Sequence, residues 1–510
     1  MPLTTKSEHP VEGGAPLDDE RSSYRQILRS STIVGGATFL SLAINVIRLK
    51  MFALALGPAG MGLVGLYTSF LNLGAAVAGL GLSTSVVQRL ASIRGARRER
   101  LARFAIFAIT GLLAIAALLV VRLFGDLIAG LTGVPATTAS IILLAIGVSL
   151  SVVAATQIAF LQGYRRIADM ARLRIYSSVL ATIVGVLLIV AVGPPAIVPA
   201  IVAIPAASVL VGLFIRAPAP RGAPARLQPT LILREWRALV ALGAVVMVAG
   251  MFAAGTQLAV RAMLTKSISL EAAGYYQAVW TASVTNVSLI LAAMAADYLP
   301  RLSAAANDRT ATARLVNQQL RVALLLGAPI LLSLAAVAPL AMRLLYSAEF
   351  VVGGPLLRWH VAGDSLKLLG WALGFSIMAR RASGLFLAME AIQAIAYTAL
   401  AFYLIPRFGL NGVGVAYLAS YVCYTGAITL AVRRSAGLVV ARANLRLQIV
   451  FTGALLATLV AGFASDLAAF CCGALFAAGF AIYAARHLGQ IVDGSDLLAR
   501  VVQRFKRAPR

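Results

Sequence analysis

Four residues stand at steps of four, three and four along one stretch of the chain: His360, Asp364, Lys367 and Trp371. On a helix these positions share a face. The stretch around them is apolar, and charges held in hydrocarbon are expensive. Two readings follow. Asp364 and Lys367, three residues apart, can neutralise each other and simply pack a bundle. Alternatively, the face lines a cavity and its charges exchange partners during transport. The second is favoured, because ionisable groups at membrane depth are by default functional candidates.

A second set is cationic. Ser41, Asn45 and Arg48 repeat at helical spacing with Lys50 just beyond, and Gln257 and Arg261 share a face further along. Arg presents a planar fork to a phosphate, and Lys presents a point charge. Arg48, Lys50 and Arg261 are therefore candidates for an anionic ligand, beside His360, Asp364, Lys367 and Trp371. Each of the three cations also lies near the end of its apolar run, where a long side chain can snorkel to the interface. Glu390, with Asp364, is a candidate coupling or gating acid; about two turns from its helix end, it also reads as a solvated residue. Cys423, Cys471 and Cys472 lie in apolar segments and the three His are scattered, so no metal cluster, disulfide framework or cofactor is expected.

The elements that position these residues must be membrane helices. Of 510 residues, 60% are hydrophobic and 12% charged, where a soluble chain carries about a quarter charged. Apolar runs long enough to span a bilayer recur along almost the whole chain. They predict an all-α polytopic protein of fourteen spans, near 31–54, 60–86, 102–124, 138–162, 173–193, 196–215, 238–264, 273–298, 320–346, 356–379, 384–405, 410–432, 447–465 and 467–486. The first 30 residues hold no apolar core of a cleavable signal peptide.

Lys and Arg number 44 against 18 acids, a net charge of +26. The basic residues sit in short clusters between apolar runs, which argues for orientation signals and against nucleic-acid binding. Thirty-five of the 44 fall on the two tails and alternate loops, and nine elsewhere. The positive-inside rule then places both termini in the cytoplasm. Residues 216–237, with Pro218, Pro220, Pro224 and Pro229 among five Arg, read as a cytoplasmic linker. The expected organisation is a tail (1–30), a six-helix half (31–215), the linker (216–237), a second six-helix half (238–434), a hairpin (447–486) and a basic tail (487–510).

The halves read as a repeat. Arg48 precedes Gly62 by 14 residues and Arg261 precedes Gly274 by 13. Each Gly opens an aromatic-containing helix, Gly62-Leu-Val-Gly-Leu-Tyr and Gly274-Tyr-Tyr-Gln-Ala-Val-Trp. Two related halves with a site between them is a transporter architecture.

The stretch Leu56-Gly57-Pro58-Ala59-Gly60-Met61-Gly62-Leu63, preceded by Lys50, resembles the first two helices of Wzx-type flippases. These belong to the multidrug, oligosaccharide-lipid and polysaccharide exporters. Three further stretches are similar in the same order: Gly274-Tyr-Tyr-Gln leading to Tyr298-Leu-Pro-Arg-Leu-Ser303, then Trp359-x-x-x-Gly363-Asp364-x-x-Lys367, then Gly409-Leu-Asn-Gly-Val-Gly-Val-Ala-Tyr417. Together they most resemble the subgroup that moves lipid III, an undecaprenyl-diphosphate trisaccharide. The resemblance covers about residues 31–434. It departs from the usual twelve spans in the acidic Asp18-Asp19-Glu20 tail and the last pair, which is similar to the helices lining a lipid-tail groove in lipid II flippases.

The resemblance implies translocation of a lipid-linked oligosaccharide across a bacterial inner membrane by alternating access. It also implies membrane lipids as surroundings, and a polysaccharide polymerase and chain-length regulator as partners. The alternative is a cation-coupled small-molecule or drug exporter of the same superfamily, disfavoured for cationic drugs by a cationic cavity. An enzyme is not expected, since no outer loop is long enough to carry a catalytic domain. An ATP-driven pump is also disfavoured, because the chain has no Gly-Lys dipeptide for a P-loop.

Overall fold

A computed structural model describes residues 16–93, 96–132, 137–215, 229–305, 308–380 and 382–492. The described residues form α-helices with two short 3-10 turns and no strand. In chain order the helices are α1 (Pro16–Ala78), α2 (Leu82–Ser92), α3 (Ala96–Thr132), α4 (Thr138–Gly163), α5 (Ile167–Val192), α6 (Ile197–Phe214), α7 (Pro229–Ser267), α8 (Leu270–Ala304), α9 (Arg309–Ala336), α10 (Ala338–Leu345), α11 (Gly354–Ala379), α12 (Ser383–Ala436), α13 (Arg442–Ala464) and α14 (Asp466–Val492). Helices are what such a sequence must form, because hydrocarbon offers no partner to a free backbone N–H or C=O. Ten stretches among the described residues are long and apolar enough to cross a membrane. Leu123, Phe214, Leu467 and Leu475 are each at least 69% exposed, as lipid-facing side chains are.

Glycine and proline place the breaks. α1 and α12 each cover two predicted spans. α1 is interrupted at Gly57, whose φ of 64° suits a residue without Cβ, and Pro58 restarts the helix where its missing N–H costs nothing. α12 is interrupted at Gly409, φ 58°, three residues after Pro406. Predicted span 60–86 is not one helix: it breaks between α1 and α2, where Leu80 and Gly81 both have positive φ. Span 320–346 divides likewise into α9 and α10, with Pro339 in the first turn of α10. The expected N-terminal tail is helical from Pro16; its residues 1–15 lie outside the described ones. So do residues 216–228 of the expected linker, the rest of which opens α7, and residues 493–510 of the C-terminal tail.

Helices α1–α6 and α7–α12 form two halves sharing one continuous apolar core, which includes Met61, Leu66, Leu264, Tyr276 and Leu324. The halves meet along α1 with α8 and α7, and α2 and α3 with α7. Close approach is possible because glycines stand at the crossings. A Cβ on Gly62 would lie 2.2 Å from the Leu270 carbonyl oxygen, and one on Gly274 would lie 1.9 Å from that of Pro58. Toward the opposite membrane face, Gly81 and Gly243 meet in the same manner, a Cβ on Gly81 falling 2.1 Å from the Gly243 carbonyl oxygen.

The last two helices pack on the second half, α13 against α11 and α14 against α9. Arg358 of α11 is 1% exposed, donates to Ala335 O at 3.2 Å and reaches Asp466 at the start of α14 at 2.9 Å. Gly462 leaves room for that guanidinium; a Cβ there would sit 2.4 Å from it.

Candidate functional site: a cationic cavity between the halves

A cavity of about 530 Å³ lies between the two halves. Thr68, Ser69, Asn72 and Ala76 of α1 form one wall; Gly250, Gln257 and Arg261 of α7, Gln277 and Trp280 of α8, and Lys367 of α11 form the others, with Glu390, Gln393, Tyr397, Tyr417 and Tyr421 of α12.

Arg261 is 3% exposed. Its Nε and Nη2 donate to Gln277 Oε1 at 3.0 and 2.6 Å, and its Nη1 donates to Gln257 Oε1 at 2.7 Å. The guanidinium also lies 5.1 Å from the Tyr276 ring centroid, within cation–π range. Space for this network comes from Gly65, where a Cβ would stand 2.8 Å from Gln277 Oε1. The second glycine of Gly62-Leu-Val-Gly65 therefore serves the cavity, and the first serves the helix crossing. Lys367 Nζ lies 5.9 Å from the Trp280 ring centroid. Among the described residues neither Arg261 nor Lys367 forms an ion pair. Amide oxygens and ring faces solvate the two charges without cancelling them.

Asp364 is fully buried and forms no ion pair with Lys367 among the described residues. It accepts hydrogen bonds from Ser283 Oγ and, at 2.8 Å, from Tyr417 Oη. His360 is equally buried; its Nδ1 stands 3.1 Å from Leu356 O, and its ring stacks on Tyr417 with centroids 4.4 Å apart. Behind them the helices interlock: the Tyr417 ring fills the hollow at Gly363, and Trp359 fills the one at Gly414. The motifs Trp359-x-x-x-Gly363-Asp364 and Gly412-Val-Gly414 are thus two sides of one contact.

The structure brings Arg261, Lys367 and Glu390 of the sequence candidates to the cavity. His360 and Asp364 lie behind its wall, and Trp371 packs on Tyr298 and Phe375. Arg48 and Lys50 are elsewhere. Arg48 is buried and donates to Asn45, one turn back. Lys50 Nζ donates to Leu344 O at 2.7 Å, capping the end of α10 across the halves. Sequence reasoning passed over Gln277, Trp280, Gln393, Tyr397 and Tyr421 as lining residues. Their signal was available as amides and aromatics at steps of three and four within apolar runs.

Two further contacts join the halves on the face where α6 ends and α7 begins. Arg89 Nε donates to Glu235 Oε2 at 2.7 Å, and Trp236 Nε1 donates to Ala105 O at 2.8 Å. The cavity thus has inter-half contacts on both sides.

The fold and the cavity define a multi-pass membrane protein with the architecture of two-halved carriers. The chain belongs to the polysaccharide biosynthesis protein family, whose profile matches residues 52–352. It is 23% identical over 417 residues to the lipid III flippase of Escherichia coli (strain K12), covering 78% of this chain and 96% of that protein, and matches the lipid III flippase of Shigella flexneri equally. Among solved structures it resembles the lipid II flippase MurJ in an inward closed conformation, with a TM-score of 0.69, 14% identity, and 89% of this chain and 99% of that one covered. It also resembles an inward-facing multidrug resistance MATE family transporter, with a TM-score of 0.62, 14% identity, and 80% and 94% covered.

Proposed function

We propose that the protein is a flippase that carries an undecaprenyl-diphosphate-linked oligosaccharide across a bacterial inner membrane by alternating access. The observation that carries this reading is the pair Arg261 and Lys367, two cations facing one cavity with no carboxylate bonded to either. A buried charge without a bonded counter-ion is costly, and a diphosphate can bond to both cations. The amides of Asn72, Gln257, Gln277 and Gln393 and the rings of Trp280 and Tyr421 suit the hydroxyls and apolar faces of sugars. The prenyl chain stays in lipid. The relatives, named as lipid III flippases, support the same class.

In this reading the chain crosses the membrane fourteen times with both termini in the cytoplasm. Arg261 and Lys367 bind the diphosphate, and Glu390 is the coupling or gating acid at the cavity. Asp364 and His360 hold Tyr417 in the wall. Arg48 and Lys50 act at the outer end of the first span. The protein works as a carrier, beside the polymerase and chain-length regulator of the same glycan.

The test is deletion of the gene followed by identification of lipid-linked glycans in the inner membrane. The expected result is one lipid-linked glycan accumulating on the cytoplasmic leaflet, cleared by the wild-type gene. No accumulation, with gained sensitivity to small cationic drugs, would instead favour the exporter reading suggested by the MATE likeness.

A further inference from the structure

The wall that carries Arg261 is built from amides, and one of them is held in a single orientation. Thr281 Oγ1 donates to the Gln277 carbonyl oxygen, one turn back, at 2.9 Å. A hydroxyl has one hydrogen, so toward the Gln277 side chain Thr281 can only accept, which it does from Nε2 at 3.2 Å. The amide nitrogen is thereby fixed on Thr281, and Oε1 is turned to the guanidinium, where it accepts from Nε and Nη2 of Arg261. A carboxylate at this position would set an oxygen against the lone pairs of Thr281. The local network therefore favours Gln over its isostere Glu.

The other arm of the fork is settled likewise. Tyr397 Oη donates to Tyr276 Oη at 3.2 Å, and Tyr276 Oη donates to Gln257 Oε1 at 3.4 Å. Arg261 Nη1 donates to both oxygens of Gln257, the side-chain one at 2.7 Å and the backbone one at 3.1 Å. Four of the five guanidinium N–H groups are spent in this way, all on neutral oxygens, and one on Nη2 is left. Gly65 of α1 closes over the network, where a Cβ would stand 3.1 Å from Arg261 Nε. Glu390, the one acid among the described lining residues, makes no ion pair with Arg261. Orientation is fixed and charge is kept. A glutamate in place of either glutamine would grip the fork equally well but cancel its charge, and in a site of low dielectric that difference is large.

We propose that Gln277, oriented by Thr281, sets the charge selectivity of the central cavity, so that it takes anionic cargo. Gln277 is a positioning residue and acts through Arg261. The Nη2 N–H that it leaves free, together with Lys367 of the same cavity, meets the phosphate oxygens. The inference rests on the flippase reading of that cavity.

The test uses the purified full chain in detergent, with farnesyl diphosphate, farnesol and farnesyl trimethylammonium as probes, and reads dissociation constants across a salt series. Wild-type protein should bind the diphosphate about tenfold or more tightly than the other two, and added salt should weaken that binding. Gln277→Glu should erase the preference and most of the salt dependence. Gln277→Met, of similar length but without the oxygen or a charge, should loosen the fork and weaken binding while keeping both. Gln257→Glu, on the other arm of the fork, should repeat the first result in a separate variant. Equal behaviour of Gln277→Glu and Gln277→Met would reduce Gln277 to packing and overturn the proposal. Wild-type protein that binds farnesyl trimethylammonium as tightly as the diphosphate would overturn it with no variant involved. A diphosphate preference that survives both glutamate substitutions overturns this inference and leaves the flippase reading standing. A preference lost as described, in a protein whose deletion accumulates no lipid-linked glycan, sinks the flippase reading and leaves the charge selectivity.

Discussion

Gly62 and Gly274 occupy reciprocal positions: each packs against the backbone carbonyl four residues before the other, Gly62 on Leu270 and Gly274 on Pro58. The internal repeat is thereby visible as a pseudo-two-fold crossing of α1 and α8. Gly274→Ala should destabilise the protein by about 1–3 kcal/mol, the usual cost of overpacking. Gly479→Ala, where a Cβ meets nothing within 4 Å, should be neutral or slightly stabilising. Thermal unfolding of the two variants in detergent checks this, and equal melting temperatures would refute the tight crossing.

Arg261 donates to two different glutamines and has no carboxylate bonded to it. Replacement with Ala should reduce export at least tenfold, given about 1.5–3 kcal/mol for a charged hydrogen bond. Lys should restore part of it, lacking the fork. Arg48→Ala, outside the cavity, should cost less. Glycan export normalised to membrane protein level is the measurement, and equal losses at both positions would contradict the placement.

Asp364 and Lys367 share a helix but not a bond. Asp364→Asn should loosen Tyr417, and Lys367→Ala should remove a cavity charge. The two losses should therefore add, with a coupling free energy within about 0.5 kcal/mol of zero. Recovery of export in the double variant would make the pair a self-neutralising one.

The Arg89–Glu235 ion pair bridges α2 and α7 across the halves. Arg89→Glu should speed labelling of an Ala76→Cys reporter in the cavity by an impermeant thiol reagent, in a background with Cys423, Cys471 and Cys472 replaced by Ser. Adding Glu235→Arg should slow it again. The effect should be modest, since exposed pairs contribute about 0–1 kcal/mol, and it should shrink in high salt. Labelling indifferent to both changes would show that the pair does not hold this side closed.

Much of this architecture was legible in the residues. Apolar length gave the helices, and Gly62 with Gly274 marked the repeat before any contact was known. Periodicity could not show which way a helix face points. His360, Asp364, Lys367 and Trp371 keep helical register, yet only Lys367 reaches the cavity, because α12 and its Tyr417 cover Asp364 and His360 while Tyr298 takes Trp371. The break at Leu80–Gly81 was hidden for a similar reason. It is needed where Gly243 approaches, and Gly243 is distant in sequence.

The bond from Arg358 to Asp466, under the bare backbone of Gly462, clamps the appended hairpin to the second half. That half therefore presents a wider perimeter to the surrounding lipid than its counterpart. In the alternating-access reading, a relative tilt between halves is not shared equally, because a wider body in a viscous film meets more drag. In that reading the first half is the lighter oar, and the second, with α13 and α14 as outriggers, is the hull it moves against.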